Sequence, residues 1–191
     1  MIALVTGPVR SGKSRFALEL ARERAGAPIY VATYEVHPDD AEMADRVARH
    51  RAERTGMPTI ETSERDGPAL ASTIAGAEPG AVLIVDSLGT WLASHLLALE
   101  ELVADDVPAA AAELERQAAA LLPALAASAA DVILVAEETG WGVVPPSAAG
   151  RLFRDQLGRS AAAVARRADQ VYLVAAGFAV DLTRMGRRIS D

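Results

Sequence analysis

The chain has 191 residues, a formal net charge of −7, 51% apolar and 24% charged residues, and no cysteine. Disulfides and cysteine-held zinc or iron–sulfur sites are thereby excluded, and so acidic a chain is a poor match for nucleic acid, which calls for a basic face. No stretch approaches the roughly 20 apolar residues of a membrane span, and the start lacks the basic segment of a signal peptide. A soluble, cytoplasmic protein is expected, and the length suits one large domain over 1–191.

Ile2–Thr6 is a short apolar run ending at a glycine and reads as a buried strand. Lys13–Arg24 places Phe16, Ala17, Leu20 and Ala21 at helical spacing, with Gly26 as the stop. Pro28–Thr33 (PIYVAT) is a second strand. In the charged stretch that follows, Asp39 and Glu42 form a capping-box pattern, which predicts a helix from Asp40 to about Glu53, stopped by Gly56. A short edge strand is expected near Pro58–Thr62 and a helix over Ala69–Ala77.

Ala81–Asp86 (AVLIVD) is apolar up to its last residue, the mark of a strand covered on both faces. A helix over Gly89–Leu99 and a long alanine-rich helix over about Pro108–Ser128 follow, the latter kinked or ended early by Pro123. Asp131–Ala136 is another buried strand, EETGWGVVPPS a loop, Ala148–Arg167 a helix, Gln170–Ala176 a strand and Phe178–Leu182 a last strand. Strands alternating with helices predict an α/β domain with a mostly parallel central sheet flanked by helices.

Gly7–Ser14 reads GPVRSGKS and matches G-x-x-x-x-G-K-[ST] between a predicted strand and a predicted helix, the context this motif requires. Gly7, Pro8, Val9, Arg10, Ser11 and Gly12 would wrap phosphate oxygens with backbone N–H groups, beside the positive end of the helix. Lys13 would reach the β- and γ-phosphates, and Ser14 would give its hydroxyl to Mg²⁺. Lys13 is the only lysine in a chain otherwise supplied with arginine. A flexible ammonium suits a tight cradle over a nucleotide better than a planar guanidinium does. Asp86, closing an apolar strand, is either the second ligand of that Mg²⁺ or merely a strand-ending acid.

A guanine-reading N-K-x-D or T-K-x-D motif needs a second lysine, so a switch GTPase is excluded; the small size favours a nucleotide-dependent transferase. Particular segments go further. VTGPVRSGKSRFA, EMADRVARHR, VDSLGTWL, EETGWGVVP, RLFRDQLGR and ADQVYLVAAG run over nearly the whole chain. Together they resemble the bifunctional adenosylcobinamide kinase / adenosylcobinamide-phosphate guanylyltransferase family, a P-loop, RecA-like fold. The chain departs from that family's pattern at Thr55, at Glu137, where the family has asparagine, and at Ala161 and Ala162.

The resemblance implies two reactions: phosphorylation of adenosylcobinamide by a nucleoside triphosphate, ATP or GTP, and transfer of GMP from GTP to adenosylcobinamide phosphate through a guanylylated histidine. It assigns that histidine to His50, one of three with His37 and His95. From the residues alone, His50 reads first as a partly buried histidine on a charged surface helix, and the family match is what turns it into a nucleophile. Imidazole is substantially neutral at pH 7 and can act as a nucleophile. Arg46 and Arg54 lie four residues either side of it, on the same face if the segment is helical. The resemblance further implies nucleotide contacts at Thr33, Tyr34, Glu35, Arg51, Ala52, Glu53, Arg54, Glu61 and Asp86. It places Glu138, Arg151 and Arg154 near the substrate, with loop or helix salt bridges as the alternative, and it implies a homotrimer. Trp141 either stacks on a ligand or covers the core. A kinase without guanylyl transfer and a non-catalytic nucleotide-binding regulator remain alternatives.

Overall fold

The computed structural model describes residues 1–34, 54, 56–63 and 69–189. The helix expected over 40–53 lies outside the described residues, as do Glu35, His37, Arg46, His50, Arg51, Ala52 and Glu53.

Among the described residues seven strands form one sheet: β1 (Ile2–Gly7), β2 (Pro28–Ala32), β3 (Thr59–Glu61), β4 (Val82–Asp86), β5 (Asp131–Glu137), β6 (Gln170–Ala175) and β7 (Phe178–Asp181). Their order across the sheet is β3-β2-β4-β5-β1-β6-β7. All neighbours run parallel except β6 and β7, which pair antiparallel. The helices are α1 (Lys13–Arg22), α2 (Leu70–Ala75), α3 (Leu88–Ala98), α4 (Glu100–Asp105), α5 (Val107–Ala119), α6 (Leu121–Ala127), α7 (Ala148–Arg167) and α8 (Leu182–Met185).

The central strands are apolar at successive positions because both of their faces are covered. Successive side chains of a strand point to opposite faces, and the two core clusters divide accordingly. Ala3, Val5, Val82, Ile84, Ile133 and Val135 pack with Ala17, Leu18, Leu20 and Ala21 of α1. Leu4, Leu83, Val85, Val132, Leu134 and Ala136 pack on the other face against residues of α2, α3, α5, α6 and α7.

The long helix expected over 108–128 is in fact two, with α5 ending at Ala119 and α6 starting at Leu121. Pro123 accounts for the break. A proline ring collides with the carbonyl four residues earlier in a continuous helix, and that residue is Ala119. In α6, Pro123 occupies the first turn, where its missing N–H costs no hydrogen bond. The sequence reading also overlooked α4, which ends where Asp106 accepts from the Ala109 amide at 3.0 Å and caps α5. The last strand is present, and its antiparallel direction follows from its turn. Only Ala176 and Gly177 separate β6 from β7, both at positive φ (50° and 82°), the backbone of a tight two-residue hairpin.

The strands end together at one edge of the sheet. Gly7 of β1 is in register with Glu137 of β5, while Asp86 of β4 is in register with Val135 of β5 and Ala32 of β2. β5 therefore stands between the strand that leads into the phosphate loop and the strand that ends in Asp86. Ligands of open α/β sheets bind at this carboxyl edge.

Candidate active site

The phosphate loop is held from three sides. At its start, Gly7 passes so close to β6 that a Cβ there would lie 2.1 Å from the Val174 carbonyl oxygen. Its own carbonyl accepts from the Glu138 amide at 2.9 Å, beyond the end of β5. At the loop's crest, the Gly177 amide of the β6–β7 hairpin donates to the Ser11 carbonyl at 3.2 Å. Arg10 takes a left-handed conformation (φ 57°), and Gly12 does so at the head of α1 (φ 100°). The loop closes on itself where the Ser11 amide donates to the Pro8 carbonyl at 3.3 Å.

Lys13, the first residue of α1, is only 6% exposed. Its ammonium turns back and donates to the Pro8 carbonyl at 3.3 Å. A buried ammonium carries a large desolvation cost unless an anion or several acceptors meet it, a cost that an anionic group in the loop would offset. The Ser11 hydroxyl, in the same loop, is also buried and has no hydrogen-bond partner among the described residues. Ser14 follows Lys13 in the first turn of α1 and is half-buried, whereas Val9 and Arg10 are exposed. Amides of a helix's first turn have no intrahelical acceptor, and together with Lys13 they can receive phosphate oxygens.

Two strands away, Asp86 ends β4 with a partner of its own. Its Oδ2 accepts from the Tyr30 hydroxyl at 2.7 Å. Tyr30 lies two residues before Ala32, the register partner of Asp86, so the two side chains share the α1 face of the sheet. Above the Tyr30 ring lies the guanidinium of Arg54, 3.5 Å from the ring centroid. Arg54 is 6% exposed, and its Nε and Nη1 have no hydrogen-bond partner among the described residues.

Thr33 is 3% exposed and embedded in a network at the head of α3. Its hydroxyl donates to the Ser87 carbonyl at 2.7 Å, accepts from the Ser87 amide at 2.8 Å and lies 2.6 Å from the Thr90 hydroxyl. Its side chain thus fastens the end of β2 to the start of α3. Glu137 completes the junction, accepting from the Ser87 hydroxyl at 2.6 Å and from the Gly89 amide at 3.0 Å. Tyr34 follows Thr33 and is half-buried, while Glu61 ends the edge strand β3 in an exposed position, in register with Ala32.

Of the expected site residues, Gly7–Ser14, Thr33 and Asp86 gather at the strand ends, and Arg54 reaches Asp86 through Tyr30. The sequence reading gave Tyr30 no role and named Glu137 only as a departure from the family's pattern. A hydroxyl inside the apolar run PIYVA and an acid where the loop turns out of DVILVA were the available signals.

The polar loop after β5 orders itself. Glu138 accepts from the Gly140 amide at 2.7 Å, and Arg151 of α7 donates to the carbonyls of Pro145 and Pro146 at 3.1 and 2.7 Å. Arg154 pairs with its neighbour Asp155 at 2.9 Å. Trp141 is 66% exposed and Val143 94%, so Trp141 does not cover the core. His95 packs edge-on to Trp91 in α3, with ring centroids 4.8 Å apart.

A glycine-rich loop at the head of α1, a buried ammonium inside it and a carboxylate two strands away are groups that phosphoryl or nucleotidyl transfer can use. Comparison with known proteins gives the same direction. Residues 3–182 match the family model described as cobinamide kinase / cobinamide phosphate guanyltransferase. The chain is 38% identical over 180 residues to the bifunctional adenosylcobalamin biosynthesis protein CobP of Pseudomonas aeruginosa, covering 94% of this chain and 95% of that one. It is 32% identical over 186 residues to the bifunctional adenosylcobalamin biosynthesis protein CobU of Salmonella typhimurium, and 31% identical over 186 residues to that of Escherichia coli. Those matches cover 95% of this chain and 99% of each relative. With the phosphate loop in place and the match running nearly end to end, this chain belongs to the cobinamide kinase / cobinamide phosphate guanyltransferase family.

Proposed function

We propose that the protein catalyses both reactions of its family in adenosylcobalamin biosynthesis. In the first, the aminopropanol hydroxyl of adenosylcobinamide attacks the γ-phosphorus of ATP or GTP. The bond to the β-phosphate oxygen breaks, the nucleoside diphosphate leaves and the hydroxyl proton is lost. In the second, a ring nitrogen of His50 attacks the α-phosphorus of GTP and pyrophosphate leaves. A phosphate oxygen of adenosylcobinamide phosphate then displaces the histidine, giving adenosylcobinamide-GDP and restoring the free imidazole.

The observation that carries this reading is Lys13. Its buried ammonium has turned onto a carbonyl of its own loop, and a triphosphate would offer it a far better acceptor. In this reading the backbone of Gly7–Ser14 holds the β- and γ-phosphates, and Lys13 neutralises charge as it shifts between them. Thr33, Tyr34, Glu35, Arg51, Ala52, Glu53, Arg54 and Glu61 line the remainder of the nucleotide.

The donors at the carboxyl edge also fit Mg²⁺. The Ser14 hydroxyl and the Asp86 carboxylate are hard oxygen ligands, and Mg²⁺ commonly takes only one or two of these from protein, with water and phosphate oxygens completing its shell. When bound, Mg²⁺ would neutralise charge on the phosphates. Asp86, steadied through Oδ2 by Tyr30, keeps Oδ1 for that purpose. The protein is further proposed to act as a homotrimer of single-domain subunits in the cytoplasm. Among the described residues no helix is long and apolar enough to cross a membrane.

The test uses GTP labelled at either end. Label from the γ-phosphate should pass to adenosylcobinamide, and label from the α-phosphate should become bound to protein in an acid-labile form. Transfer of the γ-label without any protein-bound α-label would reduce the protein to a kinase, and nucleotide binding without either transfer would make it a regulator.

A further inference from the structure

We propose that Tyr30 is a positioning residue that joins the carboxylate of Asp86 and the guanidinium of Arg54 into one unit, through the edge of its ring on one side and the face on the other. The inference rests on the reading that Asp86 serves a metal, and goes beyond it by giving a role to a residue of the apolar core.

Tyr30 is 5% exposed and sits in β2, among the residues packed by α1. Packing alone would be met by phenylalanine. The hydroxyl, however, is directed at Oδ2 of Asp86 at 2.7 Å. One carboxylate oxygen is thus committed to a neutral donor, which fixes the plane of the group and leaves the other oxygen for a cation. Partners of this kind orient metal ligands and tune their affinity.

The ring's face has a separate task. Arg54 lies over it at 3.5 Å from the centroid, with two buried donor nitrogens unpaired among the described residues. A cation stacked on an aromatic face is attracted by the ring's quadrupole, and stacking uses none of its N–H groups. The guanidinium is therefore held in place with Nε and Nη1 still available to an anion. A single side chain in the rigid sheet sets the position of both a carboxylate and a guanidinium. The anion that suits the pair is one that brings its own divalent cation, as a nucleotide phosphate does.

The two attachments can be separated by substitution. Tyr30→Phe removes the hydroxyl and keeps the face; Tyr30→Leu removes both. The probes are Mn²⁺, followed by electron paramagnetic resonance in the presence of GTP, and a fluorescent GTP analogue titrated in EDTA. Tyr30→Phe should weaken Mn²⁺ about tenfold or more, the range seen when the partner of a metal ligand is lost, and leave metal-free nucleotide affinity within about twofold. Tyr30→Leu should weaken both, with the metal-free loss matching that of Arg54→Gln. Thermal melts of each variant register general damage to the core, which would not divide metal from nucleotide in this way.

If Asp86→Asn weakens Mn²⁺ and Tyr30→Phe does not, Tyr30 has no positioning role and the inference is overturned while the site reading stands. If Asp86→Asn leaves Mn²⁺ binding unchanged, the site reading falls and the inference with it.

Discussion

Glu137, the last residue of β5, accepts from the hydroxyl of Ser87 at 2.6 Å and so holds the head of α3 against the end of the neighbouring strand. Its second oxygen takes the Gly89 amide at 3.0 Å. One carboxylate thus satisfies two donors at a helix N-terminus, where negative charge is favoured. Removing it in Glu137→Ala should cost about 1–3 kcal/mol, since a buried amide loses its acceptor. At about 2–4 °C per kcal/mol for a chain of this size, the change is visible in a thermal melt. Glu137→Gln should recover most of the loss, because the amide oxygen can take Gly89 while its NH₂ donates to Ser87. A melting temperature of Glu137→Ala equal to wild type would contradict the role.

Two glycines give opposite predictions. A Cβ on Gly7 would lie 2.1 Å from a backbone oxygen of β6. Gly7→Ala must push the phosphate loop away from its strand, so nucleotide affinity and melting temperature should fall together. Gly158 lies exposed in the interior of α7, and a methyl group added there would meet no neighbouring described atom within 4 Å. Gly158→Ala should stabilise by roughly 0.5–1 kcal/mol through helix propensity and leave nucleotide binding unchanged. Isothermal titration and melting curves on the pair check both directions.

Lys13 should be irreplaceable for charge and for shape. Lys13→Ala should lower kcat/KM for phosphoryl transfer by about 100-fold or more, the scale on which loss of one charge-stabilising donor is felt. Lys13→Arg should restore little, because a planar guanidinium does not occupy the space in which the ammonium bends back to the Pro8 carbonyl. A near-wild-type Lys13→Arg enzyme in a γ-label assay would show that only the charge matters.

Much of this was legible in the chain because its strands are written as unbroken apolar runs. AVLIVD and DVILVA announce strands buried on both faces, and the clusters on either side of the sheet take alternate residues of each. The turn between β1 and α1 was equally plain, since a Cβ at Gly7 has no room and Gly12 takes a positive φ. Contacts between distant residues were less so. Nothing adjacent to Tyr30 in sequence shows that its hydroxyl meets Asp86, 56 positions on. The hold of Gly177 on Ser11 depends on β6 lying next to β1, a pairing settled by the whole sheet. Pro123 is legible as a breaker, yet the break falls at Ala120, because the clash is with the carbonyl four residues back.

The central claim is that one phosphate cradle serves attack at two phosphorus atoms, with His50 as the nucleophile for the second. The direct measurement is the fate of [α-³²P]GTP on wild-type protein and on His50→Ala, each also assayed for phosphorylation of adenosylcobinamide. The account predicts acid-labile, alkali-stable label on the wild type, none on His50→Ala, and phosphorylation retained in both. Label that persists on His50→Ala, or a folded wild type that takes none, would contradict it.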